Sequence, residues 1–334
     1  MEQCSKIEDK ILDKLAAMPE CVSNYYYSLT AMKKEATTKH IYIDHVLNFL
    51  TYYAEAANKT VEKIDLDDIK KINTSTIDRY IIIRRENGGR PIKDQSMCVI
   101  LSALGSFFKF LVSHDYLEKD PMNGKIEKPR IAEENPVVYM TVDEIQTVLE
   151  NIRTGSTSSP YKITTRCWME RDMLLFLIPI YTGIRNSALC NINVEDISFE
   201  NNSFIGTDKR NKTSVYYFDD QIKELMLKYM KVRERKLSGT QCSAFFISNR
   251  LKRISSKAVG KIVDKYTFNI DKHITPHKLR STCATTMYEQ TRDIYLVSKI
   301  LGHSSPTTTK KYTEMTESRR EEAANIMGSL IQIV

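Results

Sequence analysis

The sequence predicts a mainly α-helical protein with two domains, the first all-helical and the second mostly helical with a small antiparallel sheet. Apolar residues recur at helical spacing through most of the chain, and strand-like alternation is confined to residues 197–218. A segment rich in prolines and charges, residues 121–136, is typical of a linker. Because 334 residues can bury two cores of ordinary size, we expect domains at 1–120 and 137–334.

The composition is that of a globular protein with a basic balance of charge. Its net charge of +7 favours a polyanionic partner without establishing one. The seven cysteines are scattered and form no CxxC pair, which favours reduced thiols in a cytoplasmic protein. The N-terminus mixes charges into its apolar residues, unlike a signal peptide, and the longest apolar run, 173–181, is too short for a membrane span. We therefore expect no membrane partner.

The first domain is predicted to contain four or five helices and no strand. Its clearest helix covers residues 38–57, where apolar residues from Ile43 to Leu50 form an amphipathic stripe. Further helices are expected at about 75–86 and 93–113. An all-helical domain is the natural interpretation of this pattern.

The second domain opens with a capping box, Thr141 to Glu144, and a helix through about Ile152. A very apolar helix should end at Gly183 in a left-handed cap, and a short strand section turns at residues 200–202. A short strand or buried connector is expected at 243–248. The remaining helices are expected at about 165–181, 220–237, 255–267, 276–290 and 293–301.

Six polar residues in this second domain suit phosphoryl transfer on DNA without a metal ion. Two arginines, two histidines, a lysine and a tyrosine can clamp a phosphate and attack it. Thr275 and Pro276 should begin a helix that carries two of them, three positions apart on one face near a positive helix end. The six residues are Arg185, Lys209, His277, Arg280, His303 and Tyr312.

Each of these residues, taken singly, is more often an ordinary surface or packing residue. Arg185 follows a tight turn, His303 lies at a junction between helices, and Tyr312 is one of 18 tyrosines. A metal centre is the competing chemistry, but His277, His303 and Cys283 lack a recognisable ligand spacing. We therefore expect neither a metal nor a cofactor.

In combination, these motifs resemble the tyrosine recombinase family, of the lambda-integrase and Xer type. TGIR carries Arg185, DKRNK carries Lys209, and HKLR carries His277 and Arg280. LGHSS then carries His303 and KKYTE carries Tyr312, with spacings similar to those of the family. The catalytic resemblance spans about residues 136–320, and the helical first domain is similar, less specifically, to the family's SAM-like core-binding domain. The plan is that of the simple two-domain, Xer-like members.

Two positions depart from the family pattern. Members usually carry an acid three positions after the first arginine, where this chain has Ala188. That change puts the support of the catalytic residues in question, and not their identities. The lysine loop contains fewer glycines than usual, so Lys212 competes with Lys209 for the lysine role, with register favouring Lys209.

The resemblance implies cleavage of a DNA strand by Tyr312, which forms a 3′-phosphotyrosyl link and releases a 5′-hydroxyl. His277 would act as general base or acid, and Lys209 would protonate the leaving oxygen. Arg185, Arg280 and His303 would stabilise the charge on the phosphoryl oxygens. Religation would need neither ATP nor metal.

The expected partner is a double-stranded recombination site, bound by a homo-tetramer that is monomeric when free. The apolar tail, residues 323–334, is expected to dock on a neighbouring protomer, or else on its own domain. Basic clusters in both domains are candidates for phosphate contact, although any one of them could be a solvated face. They comprise Lys33, Lys34, Lys39, Arg84, Arg85, Arg90, Lys252, Arg253 and Lys257.

Two other functions compete with recombination. A type IB topoisomerase uses similar chemistry but relaxes supercoils without strand exchange. A site-specific DNA-binding protein that has lost catalysis is conceivable because of Ala188. For a recombinase, the biological role would be integration of a mobile element or phage, or Xer-type resolution of chromosome dimers.

Overall fold

The computed structural model describes residues 2–16, 18–86, 91–124, 126–129, 137–157, 168–207 and 212–302 of the chain. The chain divides into two compact units, unit 1 at residues 1–133 and unit 2 at residues 134–334. Each unit is built around a hydrophobic core of its own.

Unit 1 is all-helical in its described part. The sequence predicted four or five helices there, and the described residues contain six. The additional element is α4, whose five residues are too few to show periodicity but are stabilised by a capping box between Asp65 and Asp68. The helices are α1 (Glu2–Leu15), α2 (Glu20–Ala31), α3 (Ala36–Ala56), α4 (Leu66–Lys70), α5 (Thr74–Glu86) and α6 (Asp94–Ser113), with a 3-10 turn at Val61–Lys63.

Helix α6 lies at the centre of unit 1. By length and composition alone it is apolar enough to cross a membrane. However, nine of its residues are buried, and it packs against α2 and α3. Its Phe107 and Phe108 meet Tyr25 and Phe49 through ring contacts with centroids 5.3–5.9 Å apart. The apolar character of α6 is therefore accounted for by its place in the core.

Part of the predicted linker packs against unit 1. Thr74 donates a hydrogen bond to the carbonyl oxygen of Pro121 at 2.8 Å, and Met122 and Ile126 lie against the core. Lys128 donates to the hydroxyl of Ser102 at 3.0 Å, so its ammonium is already engaged within the unit.

Unit 2 is mainly helical with a three-stranded antiparallel sheet, which confirms the predicted fold class. The strands β1 (Ile197–Ser198), β2 (Ser203–Thr207) and β3 (Thr213–Tyr217) lie in the order β1-β2-β3. The predicted capping box of Thr141 and Glu144 is present. The helices are α7 (Val142–Thr154), α8 (Met169–Thr182), α9 (Asn186–Asn191), α10 (Asp220–Leu237), α11 (Ser256–Tyr266), α12 (Pro276–Thr291) and α13 (Ile294–Ile300).

The segment at 243–248 is a connector with isolated β-bridges, and its residues 244–247 are buried. Arg233 donates from its guanidinium to the carbonyl oxygens of Cys242 and Ala244. The hydroxyl of Tyr229 donates to the carbonyl of Phe245 at 3.2 Å and accepts from the amide of Ile247 at 3.1 Å. These side chains replace the ladder that a longer strand would provide.

Candidate active site

The turn between α8 and α9 positions Arg185. The hydroxyl of Thr182 donates to the carbonyl of Ile178 at 2.7 Å and accepts from the amide of Ile184 at 3.3 Å. Gly183 ends α8 in the left-handed region, with a φ of +65°, as the sequence predicted. Ile184 is fully buried, and Arg185 is the half-buried N-cap residue of α9. The backbone that carries Arg185 is therefore anchored on both sides.

Gly183 also brings three segments of unit 2 into contact. A Cβ at this position would lie 2.7 Å from Cδ2 of Leu301 and 3.4 Å from Sγ of Cys283. Cys283 belongs to α12, and Leu301 is the C-cap residue of α13. The close approach and the positive φ both favour glycine at this turn.

Arg280 joins the same three segments through hydrogen bonds. The residue is 3% exposed, and its guanidinium donates to the carbonyl oxygens of Gly183 and Leu301. Both acceptors end a helix, where carbonyl groups lack intrahelical partners. Arg280 thus lies between the turn that carries Arg185 and the end of the helix that precedes His303.

His277 lies at the start of α12. Thr275 is the N-cap residue and Pro276 the first helical residue, as predicted, but the Thr275 side chain makes no capping hydrogen bond. His277 is exposed, whereas Arg280, one turn later, is buried. The 16-residue helix directs its positive end toward the backbone of His277, which favours an anion there.

The Cys283 thiol is buried beside this arrangement. Burial raises its pKa to about 12, although the charge of Arg280 opposes the shift. The thiol is therefore protonated at neutral pH and is a poor nucleophile and metal ligand. Among the described residues, no group of three or more His, Cys, Asp or Glu side chains could hold a metal ion.

The β2–β3 hairpin is anchored against the Arg185 turn. A Cβ at Gly206 would lie 2.7 Å from Cε2 of Tyr216 and 3.0 Å from Cδ1 of Ile184. The last cross-strand pair, Thr207 and Thr213, leads into the loop between the strands. This contact ties the base of that loop to the residue before Arg185.

Several predicted residues cannot be placed in this arrangement. Lys209, His303, Tyr312 and Arg90 lie outside the described residues. Lys212, the alternative lysine, is exposed directly before β3.

Lys39, one of the predicted DNA contacts, is buried within unit 1. Its side chain is 5% exposed, and its ammonium lies 2.9 Å from the Glu8 carboxylate and 3.2 Å from the Thr30 hydroxyl. The same ammonium lies 5.0 Å from the centre of the Tyr26 ring. Lys39 therefore joins α1, α2 and α3, a role that the sequence pattern did not reveal.

Arg253 is also engaged within the chain. Its guanidinium donates to the carbonyls of Cys190 at 3.0 Å and Ile192 at 3.3 Å, and to the Asn193 side chain at 2.5 Å. These acceptors lie at the end of α9, so Arg253 stabilises the helix that Arg185 begins.

Among the other predicted basic contacts, Arg85 forms an ion pair with Asp94 at 3.1 Å. The other described candidates, apart from half-buried Arg84, are exposed at Lys33, Lys34, Lys252 and Lys257.

A buried charge network at the start of α8 was missed by the sequence analysis. Asp172 is 1% exposed and accepts hydrogen bonds from the Arg171 guanidinium at 2.7 and 2.9 Å. It also accepts from the Tyr266 hydroxyl at 3.0 Å, and Lys265 lies 3.5 Å away. Burial lowers the pKa of Lys265. In the sequence, the charged residues directly before the apolar run of α8 are the feature that could have indicated this network.

Comparison with known proteins identifies the family. A sequence profile of the phage integrase family matches residues 138–319, more than half of the chain. Tyrosine recombinase XerC of Caldanaerobacter subterraneus subsp. tengcongensis is 30% identical over 271 residues, which cover 79% of this chain and 71% of the relative. Tyrosine recombinase XerD of Staphylococcus epidermidis is 29% identical over 293 residues, covering 83% and 95%.

A solved structure shares the fold. The site-specific recombinase XerH, in its post-cleavage complex with a palindromic difH substrate, matches with a TM-score of 0.67 at 20% identity. The match covers 89% of this chain and 82% of that chain. With the profile match and the XerC identity, the chain belongs to the phage integrase family and is a tyrosine recombinase, a site-specific enzyme that cleaves and rejoins DNA.

Proposed function

We propose that this recombinase acts on a double-stranded recombination site through a 3′-phosphotyrosyl intermediate formed by Tyr312. The observation that supports the site is the pair of hydrogen bonds from Arg280 to Gly183 and Leu301. These bonds hold the Arg185 turn, the His277 helix and the segment leading to His303 together. A phosphate clamp made of residues that are distant in the sequence needs such a junction.

In the proposed reaction, the Tyr312 hydroxyl loses its proton and attacks the phosphorus atom of a phosphodiester. The bond to the 5′-oxygen breaks, and the new bond joins the phosphorus to the tyrosine oxygen. A free tyrosine has a pKa of about 10, so His277 serves as its general base or acid. Arg185, Arg280 and His303 stabilise the charge on the non-bridging oxygens.

The proton for the leaving 5′-oxygen comes from Lys209 in the β2–β3 loop. The packing of Gly206 on Ile184 supports this role, because it ties the base of the loop to the Arg185 turn. Lys212 remains the alternative donor. Because the covalent link conserves the bond energy, religation by the 5′-hydroxyl requires neither ATP nor a metal ion.

The active assembly is a homo-tetramer on two DNA duplexes, formed from monomers. In each protomer, residues 1–120 form the core-binding domain, 121–136 the linker and 137–334 the catalytic domain. The tail at 323–334 docks on a neighbouring protomer. The chain acts in the cytoplasm, either in integration of a mobile element or phage, or in Xer-type resolution. The DNA complex of XerH supports the DNA partner.

Covalent trapping tests the catalytic assignment. A recombination site recovered from a random-sequence duplex pool is nicked beside the cleavage point, so that the cleaved fragment diffuses away. The chain should form a protein–DNA adduct, and Tyr312→Phe should form none while binding the duplex normally. Specific binding without an adduct would indicate a DNA-binding protein that has lost catalysis, and an adduct with Tyr312→Phe would exclude this nucleophile.

A modified leaving group tests the lysine. A 5′-bridging sulfur leaves as a thiolate and needs no proton, so it should restore cleavage by Lys209→Ala. The same substrate should have little effect on Lys212→Ala, which retains the acid. Rescue of Lys212→Ala instead would transfer the role to Lys212.

A further inference from the structure

Unit 2 contains a surface cavity of about 460 Å³ between the start of α8, the segment 248–254 and α11. Its volume is within the range of small-molecule sites, about 300–1,000 Å³. Within the described part of the chain, its lining includes none of the residues predicted to be catalytic or to contact DNA. The cavity therefore has no role in the mechanism proposed above.

The lining of this cavity carries an excess of positive charge. Its four cationic residues are Arg171, Arg250, Lys261 and Lys265. Among the described lining residues they face one carboxylate, that of Asp172, so four positive charges and one negative charge give a net charge of +3. Arg171 already binds Asp172 through hydrogen bonds at 2.7 and 2.9 Å. A cavity with this balance of charge attracts an anion.

Lys265 is the cation at the boundary between the buried network and the cavity. Its side chain is 24% exposed, and its ammonium lies 3.5 Å from the Asp172 carboxylate and 4.0 Å from the centre of the Tyr266 ring. Burial lowers the pKa of this ammonium; Asp172 opposes the shift, and the charge of Arg171 adds to it. Because an ammonium has three hydrogen-bond donors, a bound anion would supply a further acceptor and a second counter-charge.

The rest of the lining provides an apolar wall. Trp168 and Ile254 are buried, and Ala258 and Ile262 of α11 are half-buried. An inorganic ion would leave this wall and most of the volume unfilled. An anion with an apolar body would cover the wall while its charged group meets the cations.

The cavity lies at the opposite end of α8 from the Arg185 turn. Asp172 and Thr182 are ten positions apart on this helix, which corresponds to about 15 Å along its axis. A ligand that contacts Lys265 and the apolar wall would therefore occupy a site separate from the candidate active site.

We propose that this cavity binds a small organic anion. Its phosphate or carboxylate group contacts Lys265, Lys261 and Arg250, and its apolar body lies against Ala258 and Ile262. The buried network at the start of α8 then has a role in binding, because it holds the Lys265 ammonium at the edge of the cavity. The site does not depend on the proposed catalytic mechanism.

Trp168, the single tryptophan of the chain, lines the cavity and can report on binding through its fluorescence. The full chain is titrated with hexyl phosphate, hexanoate, inorganic phosphate and hexan-1-ol. At least one of the two organic anions should change the emission saturably and raise the melting temperature, and the tighter of them identifies the charged group. Inorganic phosphate and hexan-1-ol should bind about tenfold more weakly, because each lacks half of the ligand.

Two results of these titrations would overturn the proposal. One is the lack of a saturable response to either organic anion. The other is equally tight binding of inorganic phosphate, which would show an ion site without a use for the apolar wall.

A matched pair of variants on α11 separates the cavity from general surface charge. Lys261→Gln removes an exposed ammonium from the lining and should weaken binding of the organic anion several-fold. Lys257→Gln removes an exposed ammonium from the same helix, outside the cavity, and should leave the affinity unchanged. Equal losses in the two variants would contradict a defined site.

Lys265→Met tests the central contact and should weaken binding about tenfold, the contribution of a charge-assisted hydrogen bond. An unchanged affinity would refute the proposed placement of the anion. If this variant does not fold because Asp172 loses a counter-charge, Arg250→Gln replaces it, since Arg250 is exposed. Arg250→Gln should weaken binding several-fold, and an unchanged affinity would again count against the site.

A mixed-sequence DNA duplex distinguishes a ligand site from a DNA contact. A saturating concentration of the duplex should leave the organic anion bound, with the Trp168 emission of the anion complex retained. Displacement of the anion in proportion to the bound duplex would assign the cavity to the DNA interface and overturn the proposal.

Discussion

The guanidinium of Arg280 donates a hydrogen bond to the carbonyl oxygen of Gly183, 97 residues earlier in the chain. A second donor on the same side chain reaches the carbonyl of Leu301, 21 residues later. In the proposed mechanism, Arg280 has two roles: it contacts the phosphate, and it holds together the segments that carry the other proposed catalytic residues. The planar fork of an arginine suits both tasks, because its donors point in fixed directions.

Arg280→Lys should impair both cleavage and stability. A lysine cannot reach two carbonyls in divergent directions, so one buried acceptor would lose its partner, at a cost of about 1–3 kcal/mol of unfolding free energy. Loss of a fixed phosphate ligand should lower the rate of adduct formation by about 100- to 1000-fold. The control is Arg153→Lys, since the Arg153 side chain is 66% exposed and pairs with Glu150. Equal stability of the two variants would contradict the holding role.

Gly183→Ala should destabilise unit 2 by more than the cost of placing an alanine in the left-handed backbone conformation. The left-handed conformation costs an L-residue about 1–2 kcal/mol, and the new Cβ would also lie 2.7 Å from Leu301. Gly239 is a matched control, because its φ is +88° and nothing lies within 4 Å of its Cβ position. Chemical denaturation of both alanine variants isolates the packing contribution. An equal loss of unfolding free energy would show that Leu301 moves aside without penalty.

The Cys283 thiol should make folding stability depend on pH in the alkaline range. Its pKa is raised to about 12, so the folded state keeps a proton that the unfolded state loses near pH 9.0. Its contribution is fully present below that value and is lost as the pH rises toward 12. Between these values the loss approaches about 1.4 kcal/mol per pH unit.

Cys283→Ala is the comparison for this effect. The unaltered chain should lose unfolding free energy more steeply than the variant above pH 9, and the two curves should run parallel below it. The other buried thiols and tyrosines act equally on both proteins and cancel in the difference. Parallel curves throughout the range would show that Cys283 is accessible to solvent in the folded state.

The sequence predicted the long helices and the order of the motifs because both are local properties. The stripe around Ile43 and the cap at Gly183 depend on neighbours within a few positions. The partners of Lys39 and Arg253 could not be predicted, since they belong to elements 31 and about 60 residues away. Ala188 is an intermediate case. The sequence shows that it replaces the acidic residue usual in the family, but only the structure shows that it is fully buried in the core of unit 2.

Lys39→Gln should show whether the Lys39 ammonium stabilises the fold or binds DNA. Removing its ammonium breaks the contacts with Glu8, Thr30 and the Tyr26 ring, at an expected cost of about 1–3 kcal/mol of unfolding free energy. The salt dependence of DNA binding should stay unchanged, because a buried ammonium releases no counterions from the duplex. Lys34→Gln removes an exposed charge from the same region and should leave stability unaltered. A shallower salt slope for Lys39→Gln, with stability preserved, would restore Lys39 to the DNA interface and show that its ion pair opens on binding.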